Sequence, residues 1–372
     1  MEKALKIQIL CQFCDGQAIQ WKCDECKKFM CLPCKELVHD NLKSLQHHGI
    51  TNVVDIVKDN PDIGNDNPDI GNDNPVQREV ASEVISSVLN SYTTTIPVIN
   101  SLDCSEDGFV YFMHQKIAEK SILVKGELKE SSIKLSKSLK KRIFDIAINR
   151  DDELLFNEMV DNNNVCMLSQ SGEINTVIDT SPMRPLSLHV NRYNELIVGI
   201  KEQGPIFPVQ KDSVRQIIIF GSDNKKKVTL DTDTKGRKLF NYPARIETDS
   251  TNVLYVADWM DTDLSGKIVA VDTNGNLKFA YAGHQDLQPF FPHGIAITPS
   301  DNIVLSDQSN NALHVLNSTG ELLGLHLLDS ILHIHAPLSL CFDREGHLLI
   351  GSGKLDNSNA KIYVTKVAKQ II

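Results

Sequence analysis

From about residue 90 onward, apolar and polar residues alternate in short runs broken by Gly, Asp and Asn. A period of two bounded by turn residues predicts β-strands joined by tight connections. One phrase recurs: FDIAINRDDELLF from Phe144, PLSLHVNRYNELIVG from Pro185, PARIETDSTNVLYVAD from Pro243, PHGIAITPSDNIVLSD from Pro292 and PLSLCFDREGHLLIGS from Pro337. Each copy reads as an apolar strand, a polar turn and a second apolar strand. A third strand and a Gly turn follow in KIVAVDTNGNLKFAY from Lys267 and ALHVLNSTGELLGL from Ala312, and a weaker sixth copy, NSLDCSEDGFVYFM, begins at Asn100. The starts at Pro185, Pro243, Pro292 and Pro337 lie 58, 49 and 45 residues apart. Periods of roughly 40–50 residues with several strands per unit predict an all-β propeller. Six copies predict six blades, with Tyr92–Val98 closing the ring by pairing with the last blade and so removing exposed edges.

The pattern before the repeats is different. DNPDIGNDNPDIGNDNP, residues 59–75, is a seven-residue unit written twice and begun a third time, with Ile63 and Ile70 its only apolar residues. Such a segment has nothing to bury and favours turns, so it predicts a solvated linker. Its carboxylates lack the ligand order of an EF-hand loop. Val76, Val80, Val84, Val88 and Leu89 could share one helical stripe, but the run is too short for a coiled coil. The organisation expected is a small domain over 6–54, a linker over 55–90 and the propeller over 91–372.

Cysteine usage changes the picture of the first segment. Of nine cysteines in 372 residues, six stand between positions 11 and 34. Cys11, Cys14, Cys23, Cys26, Cys31 and Cys34 form three C-x2-C pairs, followed by His39 and by adjacent His47 and His48. A thiolate pair two residues apart can grip one metal from a single turn, and tetrahedral Zn²⁺ needs four donors, so eight donors predict two zinc ions. The first residues, MEKALKIQIL, have no secretory architecture, and no run of eighteen apolar residues follows. A cytoplasmic location is therefore expected, where cysteines stay reduced and bind metal rather than form disulfides.

The full spacing, C-x2-C-x8-C-x2-C-x4-C-x2-C-x4-H-x8-H over CQFCDGQAIQWKCDECKKFMCLPCKELVH and beyond, resembles the B-box zinc finger of tripartite-motif proteins. The resemblance implies a ββα fold with a RING-like cross-brace: Cys11, Cys14, Cys31 and Cys34 on one zinc, and Cys23, Cys26, His39 and His48 on the other, with His47 the alternative to His48. Both ligand sets would be closed, which makes the zincs structural rather than catalytic. The propeller phrases similarly resemble NHL repeats, which follow B-boxes in one tripartite-motif branch. A RING finger ends in a cysteine pair and carries its histidine mid-series; this pattern does neither, so ubiquitin-ligase activity of the chain alone is not expected.

Charge and side-chain chemistry narrow the function. A net charge of −10 disfavours non-specific nucleic-acid binding. The basic runs Lys134, Lys137, Lys140, Lys141, Arg142 and Lys225-Lys226-Lys227 read as solvated loops between strands. No P-loop, G-x-S-x-G or H-E-x-x-H occurs. Asp258 and Asp307 follow second strands and read as turn-capping carboxylates. Cys104, Cys166 and Cys341 read as buried, inert thiols. Asp103, Asp145 and Asp343 lie in or near inner strands, Arg245 and His293 near the channel mouth, and His326, His333 and His335 in strand and loop. The expectation is a non-enzymatic zinc-binding adaptor with protein partners and possible self-association. The alternatives are an RNA-binding regulator using the propeller face and a ubiquitin-ligase component acting through a RING-bearing partner. No membrane association is expected.

Overall fold

The computed structural model describes three short strands in the first 78 residues and residues 84–371, apart from 115–120, 159–162, 170, 262–264, 329–331, 354–358 and 370. The chain divides into two compact units, Met1–Arg78 and Glu79–Ile372. In the first, β1 (Trp21–Cys23) pairs antiparallel with β2 (Phe29–Met30) and with β3 (Ile50–Asn52), Trp21 opposite Met30 and Cys23 opposite Ile50. Of the expected zinc ligands, only Cys23 falls on a described strand. Cys11, Cys14, Cys26, Cys31, Cys34, His39, His47 and His48 lie outside the described residues.

The second unit is the six-bladed propeller that the repeats predict. Blade 1 comprises β5 (Ser101–Cys104), β6 (Phe109–His114), β7 (Ser121–Leu128) and β8 (Ile133–Lys141). Blade 2 comprises β9 (Ile143–Ile148), β10 (Leu154–Glu158), β11 (Asn164–Leu168) and β12 (Ile174–Asp179). Blade 3 comprises β13 (Arg184–Val190), β14 (Leu196–Lys201), β15 (Arg215–Phe220) and β16 (Lys226–Leu230). Blade 4 comprises β17 (Pro243–Thr248), β18 (Leu254–Trp259), β19 (Gly266–Val271) and β20 (Leu277–Tyr281). Blade 5 comprises β21 (Pro292–Ile297), β22 (Ile303–Asp307), β23 (Ala312–Leu316) and β24 (Leu322–Leu327). Blade 6 takes β25 (Pro337–Phe342), β26 (Leu348–Ser352) and β27 (Lys361–Val367) from the end of the chain, and its outer strand β4 (Ile85–Thr93) from before the first blade.

That exchange closes the ring. Tyr92 on β4 pairs with Ile362 on β27, and Val98 bridges Gly353. The closing strand thus starts earlier than the Tyr92–Val98 stretch singled out by pattern, because Ile85 and Tyr92 are both buried against the last blade. Apolar faces of neighbouring blades interleave into successive clusters; Ile197, Ile219, Ile246 and Val256 join blades 3 and 4.

The recurring phrase has a local cause. In every blade the first two strands meet in one type of turn, with an N–H to C=O bond from Gly108 to Ser105, Asp152 to Asn149, Asn194 to Asn191, Asn252 to Asp249, Asp301 to Thr298 and Gly346 to Asp343. The last residue of each turn has positive φ, from 55° at Asp152 to 84° at Gly108. Gly, Asn and Asp tolerate that region best. The first residue accepts from the chain beyond it: the Asn191 side chain takes N–H groups of Tyr193 and Glu195, and the Asp343 side chain those of Glu345 and His347. Polar turns so fixed set the strand register on either side.

Two expectations need correction. Lys134–Lys141 are not loop residues: they form β8, the outer strand of blade 1, and Lys226-Lys227 begin β16, the outer strand of blade 3. Lysines along an outer strand repel a second strand from pairing there. Among the described residues no helix is long and apolar enough to cross a membrane.

Candidate active site

The six inner strands β5, β9, β13, β17, β21 and β25 surround a central cavity of about 310 Å³. Their side chains grow more exposed along each strand. Phe144, Leu186, Ala244, His293 and Leu338 near the starts are buried, whereas Asp103, Ile148, His189, Glu247, Ile297 and Cys341 near the ends are partly exposed. The cavity therefore opens at the C-terminal ends of the inner strands.

The opposite end is plugged. Tyr242 stacks on Trp259 at 5.5 Å between ring centres, and Trp259 packs on Phe291 and His293. His293 Nδ1 is 2.8 Å from Leu338 O, and burial beside Arg245 pushes its pKa down to about 3. It belongs to the plug and is not among the residues lining the cavity. Arg245 lies just inside, and its guanidinium crosses the channel from blade 4 to blade 1, donating to Asn100 O at 2.8 Å and Ser101 Oγ at 3.1 Å.

Side chains from the inner strands also bridge to the next blade round the ring. Ser101 Oγ donates to Asp145 Oδ1 at 2.9 Å, Asp145 Oδ2 accepts from Leu188 N–H, and Asp103 Oδ2 accepts from Ile148 N–H. Ser187 Oγ donates to Pro243 O and Ser339 Oγ to Ile99 O. His189 Nε2 lies 2.8 Å from Thr248 Oγ1, and its Nδ1 lies 3.2 Å from Glu247 Oε2. Toward blade 5 the cavity is lined by Gly294 and Ala296. A Cβ on Gly294 would stand 2.9 Å from Leu340 N, so the inner strand there has no room for a larger residue.

Burial governs the proton affinities. Desolvation raises Asp103 to about 7, against two backbone N–H bonds that pull the other way. Desolvation, with Asp103 and Asp145 nearby, raises Glu247 well above the ordinary carboxylate range. Desolvation lowers His189 to about 4. Burial therefore favours the uncharged form of both partners, the carboxylic acid of Glu247 and the neutral imidazole of His189. Asp145 is raised by burial, but Arg245, Ser101 and Leu188 N–H stabilise its charged form. It is the braced member; Asp103 and the His189–Glu247 pair are those positioned to exchange protons with a bound molecule. Among the described residues no three His, Cys, Asp or Glu side chains converge as a metal-ligand set.

Of the residues singled out by sequence, Asp103, Asp145 and Arg245 meet at the cavity. Asp343 does not: it caps its turn and contacts His347. Asp258 and Asp307 cap backbone as expected, Asp258 Oδ1 taking N–H groups of Asn241 and Tyr242, and Asp307 Oδ1 that of Phe291. His326 is buried and accepts from Ile85 N–H, while His333 and His335 are exposed, so the three form no site. Cys166 is buried as expected, but Cys104 and Cys341 are only partly buried and touch one another. His189 and Glu247 were missed. Each stands two residues before its hairpin turn, as Asp103 does, and aligning the repeats on that turn brings the three into one register.

No protein-family model matches the chain, and no curated protein matches it in sequence. Solved propellers do match its fold. A PQQ-bound aldose sugar dehydrogenase of Streptomyces coelicolor superposes with TM-score 0.55 at 13% identity, covering 76% of this chain and 98% of that one. A gluconolactonase of Xanthomonas campestris gives 0.52 at 12%, covering 74% and 88%. A streptogramin B lyase gives 0.50 at 14%, covering 75% and 97%. At such identities the likeness is one of fold. All three are enzymes, and this overturns the expectation of a non-enzymatic adaptor. That expectation rested on the lack of contiguous catalytic motifs, which a propeller does not need, because each blade contributes one or two side chains to a shared channel.

Proposed function

We propose that the propeller is a small-molecule enzyme whose active site is the central cavity, and that it opens a lactone by general acid–base hydrolysis. The observation that carries this reading is the convergence of Asp103 and the His189–Glu247 pair, from three separate blades, on one cavity open at one end. Burial raises both carboxyl groups above their ordinary range, Asp103 to about 7, as acid–base catalysis near neutral pH requires. The substrate class follows from the gluconolactonase that shares the fold. The cavity volume lies at the small end of ligand sites, which suits a single sugar-sized ring.

In this reading ionised Asp103 takes a proton from water as the water oxygen attacks the lactone carbonyl. The ring C–O bond then breaks, and the leaving alkoxide takes the proton held by Glu247, which His189 positions, giving a hydroxy acid. Arg245 supplies a fixed positive charge near the developing oxyanion. The test is proton release from a panel of γ- and δ-lactones with the full chain. Turnover should rise with pH through about 7, the value for Asp103. Asp103→Asn and Glu247→Gln should each lower it by about 10²–10⁴-fold. No turnover on any lactone, or rates in both variants equal to the parent's, would sink the proposal.

We also propose that the first unit holds two structural zinc ions, on the ligand sets that the B-box resemblance implies. The support is the eight-donor pattern and the small size of the unit, which is too short to fold on its own apolar surface. Elemental analysis should return two zinc per chain and Cys14→Ser fewer; one zinc or none in the parent chain would count against it.

A further inference from the structure

We infer that Cys104 and Cys341 are an oxidisable thiol pair, a modification site at the rim of the channel that cross-links the first blade to the last. Nothing in the proposed lactone chemistry uses either sulfur, so this inference is independent of that reading. The two residues are 237 positions apart, yet their Sγ atoms lie 3.0 Å from one another. That is about 1 Å beyond the ~2.05 Å of a disulfide bond, so a small side-chain adjustment suffices to join them. Cys104 ends β5 and Cys341 is next to last in β25, the inner strands of blades that are neighbours only because the ring closes.

Access and environment support the assignment. Both residues are partly exposed, and Cys341 lines the cavity, so a small oxidant reaches the pair by the route a substrate would take. Cys166, the third thiol described, is buried and serves as an internal control. The pair also adjoins the site: Cys104 N–H donates to Asp103 Oδ1 at 2.8 Å. Burial, Cys104 and the carboxylates of Asp103 and Asp343 push the Cys341 thiol well up, so it reacts slowly at neutral pH and faster in base.

The balanced step uses a hydroperoxide as oxidant. Two S–H bonds and one O–O bond break and one S–S bond forms, and the hydroperoxide is reduced to an alcohol and water. The resulting loop spans most of the propeller, and constraining so long a loop in the unfolded chain stabilises the native ring.

The experiment treats the zinc-loaded full chain with tert-butyl hydroperoxide between pH 7 and pH 9, followed by non-reducing peptide mapping and thermal unfolding. Expected are a Cys104–Cys341 linked peptide, formed faster at the higher pH, an unreacted Cys166, and a Tm raised by about 5–10 °C. Dithiothreitol should reverse the shift, and Cys104→Ser should abolish both the link and the shift. If that variant does not fold, the reversible shift and the linked peptide in the parent chain decide alone. Recovery of Cys104 and Cys341 as separate alkylated or over-oxidised residues, with Tm unchanged, would overturn the inference.

Discussion

Glu247 is a carboxylic acid whose protonated form the fold favours. It stands where burial and two neighbouring carboxylates oppose its charge, and His189 Nδ1 lies 3.2 Å from its Oε2. Its folded pKa lies above the unfolded value of 4.5, so the native state holds a proton that the unfolded chain releases. That stabilisation is complete at low pH and is lost as pH rises through the folded value. Asp103 acts in the same direction between 3.8 and about 7. Urea unfolding from pH 4.5 to 7 should therefore show stability falling with pH in the parent chain, and falling less in Glu247→Gln, which has no proton to release. A parallel decline in both would mean that Glu247 is already ionised in the folded protein. The same substitution should cost catalysis, a conflict between stability and activity usual at active sites.

At the scale of elements, the hairpin turn is the unit that sequence describes best. Asn149, Asn191, Asp249, Thr298 and Asp343 open the same turn in five blades, and residues tolerant of positive φ end it. The chemistry is local, within five residues, so it is written plainly in the repeat phrase. The turns are not equal in energy. The Asp249 side chain is buried and accepts from Thr251 N–H, Val253 N–H and the Tyr255 hydroxyl, whereas that of Asp343 is half-buried and accepts two backbone N–H groups. Asp249→Ala should destabilise the propeller by about 2–3 kcal/mol and Asp343→Ala by about 1 kcal/mol, measured by chemical denaturation. The lysine-rich runs show where local reading fails. Lys134–Lys141 carry too few apolar residues to look like a strand, because an outer strand packs one edge and leaves most side chains in water.

At the scale of the whole molecule, closure is the decisive event. β4 lies before the first blade in sequence and belongs to the last blade in space. Deleting residues 1–78 should leave a propeller that melts cooperatively near the parent Tm, since the compact unit begins at Glu79. Deleting through Thr93 removes the strand paired with β27 and should abolish cooperative unfolding in calorimetry. Equal stability of the two truncations would show that the ring holds without its closing strand.

The sequence by itself determined what depends on neighbours in the chain: the alternation of strands, the turn residues between them and the count of six blades. Asp103, Asp145 and Arg245 were visible as polar residues in apolar strands, though not as one site. Only the tertiary structure decided that Asp103, His189 and Glu247 share a cavity, that Arg245 reaches across the channel, and that Cys104 meets Cys341. The reason is physical. Secondary structure follows from interactions over two to five residues, whereas the channel is assembled from the ends of six strands that only ring closure brings together.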